Sequence, residues 1–277
     1  MKRIITALIL IPVVLVLVFL GPAWQWLFMF AVAVVAALAA WELMGLAEKA
    51  GASPPRIAVM VAIMALFIGN FVWPDMTTVL LGMLSVGLLI YCTFTRRAEQ
   101  MIADVSSSIF SLFYLGFTLV SLPALREETN GPSLLAFLFC VVWAGDTVAL
   151  YVGRAWGRHK IAPMLSPNKT WEGTVGSLTG SLLATGGLLG LAHFLSSQWD
   201  SAVLSYPEEV WYWLILAVLV NAAAQAGDLA ESALKRSAGV KDSGSLLPGH
   251  GGVLDRIDAL IVAAPVLYYA LVIHQSF

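Results

Sequence analysis

A polar stripe near the C-terminus stands out in a chain in which only 12% of residues are charged. Asn221, Gln225, Asp228, Ser232 and Lys235 follow one another at intervals of four, three, four and three residues. Because consecutive helical residues are about 100° apart, this spacing places all five on one face of an otherwise apolar helix. The stripe offers a carboxylate and an ammonium group, which are suited to binding a cation and an anion.

Two further carboxylates lie at the start of the next apolar segment, where Asp255 and Asp258 are three residues apart. The intervening loop contains five glycines: Gly239, Gly244, Gly249, Gly251 and Gly252. Magnesium favours one or two carboxylates together with phosphate oxygens and water. The spacing therefore predicts that Asp228 and Asp255 hold Mg²⁺ together, with the number of cations left open. The alternative is that each carboxylate pairs with Lys235 or Arg256 and only locks two helices together.

Two further polar segments precede this region. Asp146 lies in the segment W-A-G-D-T-V-A-L-Y-V-G-R, where it either belongs to the site or bonds between helices. Residues 166–173 read S-P-N-K-T-W-E-G, and we expect Pro167 to fix a turn there. Asn168 or Thr170 then caps the next helix, whose free amides form an anion site with Lys169. A helix that merely starts beside a cytoplasmic lysine is the alternative.

Three other residues carry less specific expectations. His250, between two glycines, either donates to a phosphate or leaving group or has a purely conformational role in its turn. Asp258 and Glu231 are expected to hydrogen-bond a metal ligand. Glu42, near the end of the second apolar segment, either reaches the site or is an ordinary interfacial carboxylate.

The elements that position these residues are predicted to be membrane helices, since 60% of the 277 residues are hydrophobic. Nine apolar segments are long enough, or nearly so, to cross about 30 Å of hydrocarbon. They are approximately Ile4 to Leu20, Ala23 to Leu46, Ile57 to Trp73, Thr78 to Thr95, Val105 to Leu125, Pro132 to Val152, Thr174 to Leu195, Val210 to Leu234 and Val253 to Ile273. The fold class is therefore an all-α polytopic membrane protein.

The distribution of basic residues predicts the orientation of these spans. With the N-terminus in the cytoplasm, every one of the 15 Lys and Arg residues except Arg126 falls on the inner side. Lys and Arg near helix ends resist translocation, so this asymmetry favours an inner N-terminus and an outer C-terminus. The polar residues of the C-terminal half then converge at the cytoplasmic face.

The segment from Ser232 to Asp258 closely resembles a known family signature. Its pattern, S-x-L-K-R-x4-K-D-x-G-x2-L-P-x-H-G-G-V-x-D-R-x-D, is similar to that of the CDP-diacylglycerol synthases, also called phosphatidate cytidylyltransferases. The resemblance implies a bacterial-type inner-membrane enzyme of phospholipid biosynthesis that converts CTP and phosphatidate to CDP-diacylglycerol and pyrophosphate, with Mg²⁺. It also implies a homodimer, a lipid bilayer as partner and no nucleic acid.

The resemblance and the residue types together give a candidate site. Metal binding is assigned to Asp228 and Asp255. Substrate binding is assigned to eight residues: Asp146, Ser166, Asn168, Lys169, Thr170, Glu172, Ser232 and Lys241. Catalytic roles are assigned to five: Lys235, Arg236, His250, Arg256 and Asp258. We expect residues 101–277 to carry this site and residues 1–100 to serve as scaffold or lipid access.

Two other functions remain open from the residues alone. A CTP-dependent lipid kinase of the polyprenol type would need a base for the hydroxyl proton of its substrate. A cation transporter would need polar stripes that continue across the membrane, whereas the polar residues here cluster at one face.

Overall fold

A computed structural model describes residues 12–198, 204–246 and 251–276. Residues 12–19 are helical and lead through a short 3-10 turn, Pro22–Trp24, into the first complete helix. The helices that follow are α1 (Gln25–Lys49), α2 (Arg56–Val72), α3 (Thr77–Thr95), α4 (Met101–Ser111), α5 (Ser121–Glu127), α6 (Gly131–Trp156), α7 (Trp171–Gln198), α8 (Val210–Ser237) and α9 (Leu254–Gln275). Strands β1 (Lys160–Ala162) and β2 (Ser166–Thr170) form a hairpin between α6 and α7.

The chain is an all-α polytopic membrane protein, as predicted. Within the described ranges, seven helical stretches are long and apolar enough to cross a membrane, and α2 is a shorter apolar helix of 17 residues. These eight helices correspond to eight of the nine predicted spans. A π-helical segment, Leu112–Phe117, connects α4 towards α5 within the span Ala98–Glu127. Residues 4–11 of the first predicted span lie outside the described residues, so this span and the inward orientation of the N-terminus stay predictions.

The helices form two compact units. One draws on Met1–Pro123 and Ala233–Ile261, and the other on Ala124–Ser232 and Val262–Phe277. Apart from Ser232, the segment that resembles the family signature therefore belongs to the same unit as the N-terminal helices. This grouping is structural, so the predicted functional division at about residue 100 stays a prediction.

The first unit is built on the pair α1 and α2, which pack along each other. Helix α1 buries a row of alanines that includes Ala33, Ala36 and Ala40, and α2 buries Ile63 and Phe67. Small side chains on one helix allow the backbone of its neighbour to approach closely, as is usual between membrane helices. The packing of α1 against α2 thus forms a core of the first unit.

The second unit is organised by the long contact between α6 and α7. A methyl group added at Gly176 would lie 2.7 Å from Cβ of Val152, and one added at Gly180 would lie 2.8 Å from the backbone oxygen of Ala144. Both distances are too short for any side chain. These two glycines therefore allow α6 and α7 to pack closely against each other.

A buried polar network connects the helices of the second unit. The amide nitrogen of Asn221 donates to the hydroxyl oxygens of Ser177 and Ser181, each at 2.8 Å, and Gln225 donates to Asn221 Oδ1 at 2.6 Å. Gly145 leaves room for this network, since an added Cβ would lie 2.7 Å from the Asn221 amide nitrogen. The first turns of the predicted polar stripe thus hold α6, α7 and α8 together.

The hairpin corrects one prediction about the segment 166–173. Pro167 lies within β2 and does not fix a turn, because Lys160 pairs with Thr170 and Ala162 with Ser166 in an antiparallel register. The register shifts between Lys160 and Ala162. Proline is tolerated in edge strands and beside such irregularities, where its missing N–H is not required by the ladder.

We predict that Asn221→Ala destabilises the second unit. The substitution removes two hydrogen bonds between α8 and α7, each contributing about 0.6 to 2 kcal/mol, and one within α8. Thermal unfolding in detergent should therefore shift to a lower temperature. Thr179→Ala is the matched control, because Thr179 bonds only to Val175 of its own helix. An equal shift in the two variants would contradict the network's stabilising role.

Candidate active site

The hairpin positions Lys169 immediately before the first turn of α7. The hydroxyl oxygen of Thr170 accepts a hydrogen bond from the backbone N–H of Gly173 at 3.1 Å. This is N-cap geometry, so of the two predicted capping residues it is Thr170, not Asn168, that caps the helix. Thr170 is buried against Gly153 of α6 and Gly157, which directly follows that helix, and this explains why glycines occur there.

Lys169 forms an ion pair with the predicted metal ligand Asp228 of α8, with 2.5 Å between Nζ and Oδ2. Asp146 of α6 lies close enough for its carboxylate to be repelled by Asp228 and attracted by Lys169. The cluster therefore contains two carboxylates and one ammonium group in the second unit. Its formal charge of one negative unit leaves it able to accept a further cation.

Glu172 has a structural role at the base of the hairpin. Its carboxylate accepts from the backbone N–H groups of Arg158 and His159, and the His159 ring lies 2.6 Å away. This arrangement fixes the chain between α6 and β1. The substrate-binding role predicted for Glu172 stays a prediction.

Asp255 organises the signature segment in the first unit. One oxygen accepts from Lys235 Nζ at 2.7 Å, and the other accepts from Gly252 N at 2.8 Å and from Ser243 Oγ at 2.9 Å. Its side chain is 8% exposed. The pairing with Lys235 is the one that the purely structural alternative expected, and it leaves little free acceptor capacity on Asp255.

The C-terminal end of α8 fixes the position of Arg236. Gly239 has a φ of +69°, and the N–H groups of Gly239 and Val240 bond to the carbonyls of Arg236 and Lys235. This left-handed glycine end satisfies the last carbonyls of the helix. The Arg236 guanidinium donates to the carbonyl of Val240 at 2.7 Å, which holds it against the turn.

The remaining predicted site residues are distributed over both units. Lys241 and Arg256 are exposed, Asp258 is half-buried one turn after Asp255, and Ser232 is buried. Ser166 and Asn168 lie on β2, flanking Pro167. His250 lies outside the described residues, as do all of residues 247–250.

The structure brings the predicted residues together in two clusters. Asp146, Lys169 and Asp228 form one in the second unit, and Lys235 and Asp255 belong to another in the first. The joint coordination predicted for Asp228 and Asp255 therefore stays a prediction, since each is described within its own unit.

Sequence reasoning missed Ser243 altogether. Its backbone N–H and hydroxyl both bond to Asp255, and the hydroxyl also lies 3.2 Å from an oxygen of Glu42. Glu42 thus reaches the signature segment, and the interfacial alternative is wrong. A serine directly after Lys241 and Asp242 in a glycine-rich loop gave no periodic signal, because loop contacts do not follow a helical repeat.

Comparison with known proteins places these clusters in a family. The sequence profile of the Cytidylyltransferase family matches residues 1–274. The chain belongs to this cytidylyltransferase family. The match covers the N-terminal helices as well as the signature segment, so the family likeness is not confined to the C-terminal half.

Individual relatives agree with the family match, and each is a protein named phosphatidate cytidylyltransferase. The one from Brucella melitensis is 40% identical over 72% of this chain and 71% of its own length. The one from Staphylococcus saprophyticus is 37% identical over 67% of this chain and 66% of its own. The one from Synechocystis sp. is 33% identical over 98% of this chain and 96% of its own.

The donor set of this cytidylyltransferase fits a hard cation. Among the described residues there is no group of three or more His, Cys, Asp or Glu side chains that resembles a protein-only metal cage. Magnesium does not need one, because it commonly uses one or two carboxylates and takes its other oxygens from phosphates and water. Asp228 meets this condition best, since its side chain is 37% exposed and Asp146 adds negative charge beside it.

We predict that Asp255→Asn loosens the signature segment even when no substrate is present. The amide cannot form an ion pair with Lys235, and hydrogen bonds to a charged acceptor are worth about 1.5 to 3 kcal/mol. Hydrogen exchange at the backbone N–H groups of Ser243 and Gly252 should accelerate about tenfold or more. Asp228→Asn is the control, because Asp228 has no part in this loop; unchanged exchange in Asp255→Asn would contradict the anchoring role.

Proposed function

We propose that this chain is a phosphatidate cytidylyltransferase. The reaction joins CTP to phosphatidate and yields CDP-diacylglycerol and pyrophosphate. The observation that carries the proposal is the match to relatives of that name, one of which extends over 98% of this chain and 96% of its own length. The lysine–carboxylate clusters support it, because their chemistry suits two substrates that both carry phosphate.

In the proposed reaction a phosphate oxygen of phosphatidate attacks the α-phosphorus of CTP. A new P–O bond forms, the bond between the α- and β-phosphates breaks, and pyrophosphate leaves with the electron pair. A phosphate monoester is already largely ionised at neutral pH, because its second pKa is about 6. No strong general base is therefore required, and the main obstacle is repulsion between two anions.

The basic residues of the chain address that repulsion. Lys169 and Lys235 are 24% and 13% exposed and are each held beside a carboxylate, so their ammonium groups are oriented before substrates arrive. Such preorganised cations stabilise the charge that develops on transferring and leaving phosphates. Lys241 and Arg256, both exposed, supply further positive charge to the signature segment. Arg236, whose guanidinium donates to the carbonyl of Val240, adds to it.

We propose Mg²⁺ as the cofactor, with Asp228 as a ligand and Asp255 as the second ligand predicted from the sequence. When bound, the ion would neutralise part of the charge of the substrates and of the departing pyrophosphate. Asp146 and Asp258 would hold their carboxylates near these ligands and orient them through charge and hydrogen bonds. A second cation is compatible with the two separate clusters.

We further propose that the site faces the cytoplasm from the inner membrane of a bacterium. The basic residues collect at one end of the predicted spans, and the relatives named above come from bacteria. CTP is soluble and cytoplasmic, whereas the acyl chains of phosphatidate can remain in the bilayer. A homodimer is proposed from the family resemblance alone.

A direct assay tests the proposed function. Purified protein in detergent is given phosphatidate, Mg²⁺ and CTP labelled at the α-phosphate, and the lipid fraction is scored for label while pyrophosphate is measured in the aqueous phase. We expect labelled CDP-lipid and pyrophosphate in equal amounts. A parallel reaction with a polyprenol and CTP labelled at the γ-phosphate serves as the comparison, because a kinase would transfer the γ-phosphoryl group to the alcohol and release CDP. Labelled polyprenyl phosphate there, with no labelled CDP-lipid from phosphatidate, would overturn the proposal and favour the lipid kinase.

A further inference from the structure

Glu42 of α1 is a buried carboxylate directed at the signature segment. It is 4% exposed, although glutamate is among the residues least often buried without a partner. Its Oε2 accepts a hydrogen bond from the backbone N–H of Leu254 at 2.9 Å and lies 3.2 Å from Ser243 Oγ. These contacts bridge residues about 200 positions apart within the first unit.

The contact with Leu254 caps a helix. Leu254 is the first residue of α9, and the first N–H groups of a helix have no acceptor within it. The positive end of the helix dipole also favours a negative charge at this position. Glu42 therefore fixes the start of the helix on which Asp255 is the second residue.

Ser243 connects Glu42 to Asp255. Its hydroxyl lies 3.2 Å from Glu42 Oε2 and 2.9 Å from Asp255 Oδ2. A hydroxyl has a single proton, so it donates to one carboxylate at a time. A shift of Glu42 would consequently change the hydrogen bonding of Asp255 through the hydroxyl oxygen of Ser243.

The glycines of the segment are shaped around Glu42. A methyl group added at Gly244 would overlap Glu42, and the three nearest atoms that it would meet all belong to that side chain. One added at Gly252 would overlap both Glu42 and Ser243. The loop is therefore glycine-rich at these two positions because the carboxylate occupies the space that side chains would need.

We propose that Glu42 is a positioning residue for the cytidylyltransferase reaction: it holds the start of α9 and the Ser243 turn so that Asp255 and Lys235 keep their places. This inference rests on the proposed function for its kinetic consequence. It also assigns a function-related task to α1, in the part of the chain predicted to serve as scaffold or lipid access. The geometry itself, a buried carboxylate capping a helix, does not depend on the substrate.

The test compares Glu42→Ala, Glu42→Gln and Gly244→Ala with Glu48→Ala. Glu48 is the matched control because it lies on the same helix and pairs with Arg56 away from the signature segment. We expect Glu42→Ala to lower kcat about 100-fold, with the KM for CTP changed less than about threefold. We also expect exchange at the Leu254 amide to accelerate about tenfold or more. Glu48→Ala should stay within about twofold of the wild type in all three measurements.

Glu42→Gln keeps an oxygen that can accept from Leu254, so it should fold and recover part of the lost kcat. The double variant Glu42→Ala with Gly244→Ala separates direct contact from general damage. Gly244→Ala alone should lower kcat, but it should add no further loss when Glu42 is alanine, because the overlap is gone. If Glu42→Ala does not fold, Glu42→Gln carries the test, and a wild-type kcat together with wild-type exchange at the Leu254 amide in that variant would contradict the proposal.

Two results would overturn the proposal: wild-type kcat in both Glu42 variants, or a loss from Gly244→Ala that is equally large in the Glu42→Ala background. Failure of the proposed function is recognised separately. If the wild-type protein makes no CDP-lipid, the proposed reaction is wrong. Faster exchange at the Leu254 amide in Glu42→Ala would then still support the capping contact.

Discussion

A charged side chain among apolar helices is stable only when another group compensates its charge, and this constraint explains the arrangement of the site. Insertion of a single carboxylate or ammonium group at the centre of a membrane helix costs about 2.5 to 3.5 kcal/mol. Here Lys169 lies against Asp228 and Lys235 against Asp255. Each pair brings two charges that a phosphate-transfer reaction needs while leaving little net charge among the helices.

Compensation differs between the two pairs. The side chains of Lys235 and Asp255 are 13% and 8% exposed, and breaking a buried ion pair by removing one partner is strongly unfavourable. The side chains of Lys169 and Asp228 are 24% and 37% exposed, so water screens that pair more strongly. The proposed cation would therefore displace the lysine more easily at Asp228 than at Asp255.

Sequence periodicity was sufficient for the helices and for the residues that lie on them. The stripe on α8 was predicted correctly because a 3.6-residue repeat maps directly onto a helix face, and the contact between Gln225 and Asn221 confirms it. The placement of Pro167 was wrong, since a short strand pair is set by partner register and has no repeat of its own. Ser243 and the partners of Glu42 were unpredictable for the same reason: a contact across 200 residues leaves no trace in local spacing.

The glycines of the signature segment have a role that the structure explains and the sequence alone does not. In a sequence, the glycines of the signature segment indicate a flexible or phosphate-binding loop. In the structure, Gly244 and Gly252 are required by the bulk of Glu42, and Gly239 by a left-handed helix end. The loop is thus shaped by a side chain from α1, and its glycines are explained by close packing as much as by ligand approach.

The central claim is that the carboxylate of Asp228, compensated by Lys169, is a ligand of the divalent cation. Binding of Mn²⁺ to the purified protein, followed by electron paramagnetic resonance, tests it without any turnover. We expect the wild-type protein to bind Mn²⁺, Mg²⁺ to compete for the same site, and Asp228→Asn to lose that binding while remaining folded. Equal Mn²⁺ binding by the wild type and Asp228→Asn would contradict the account.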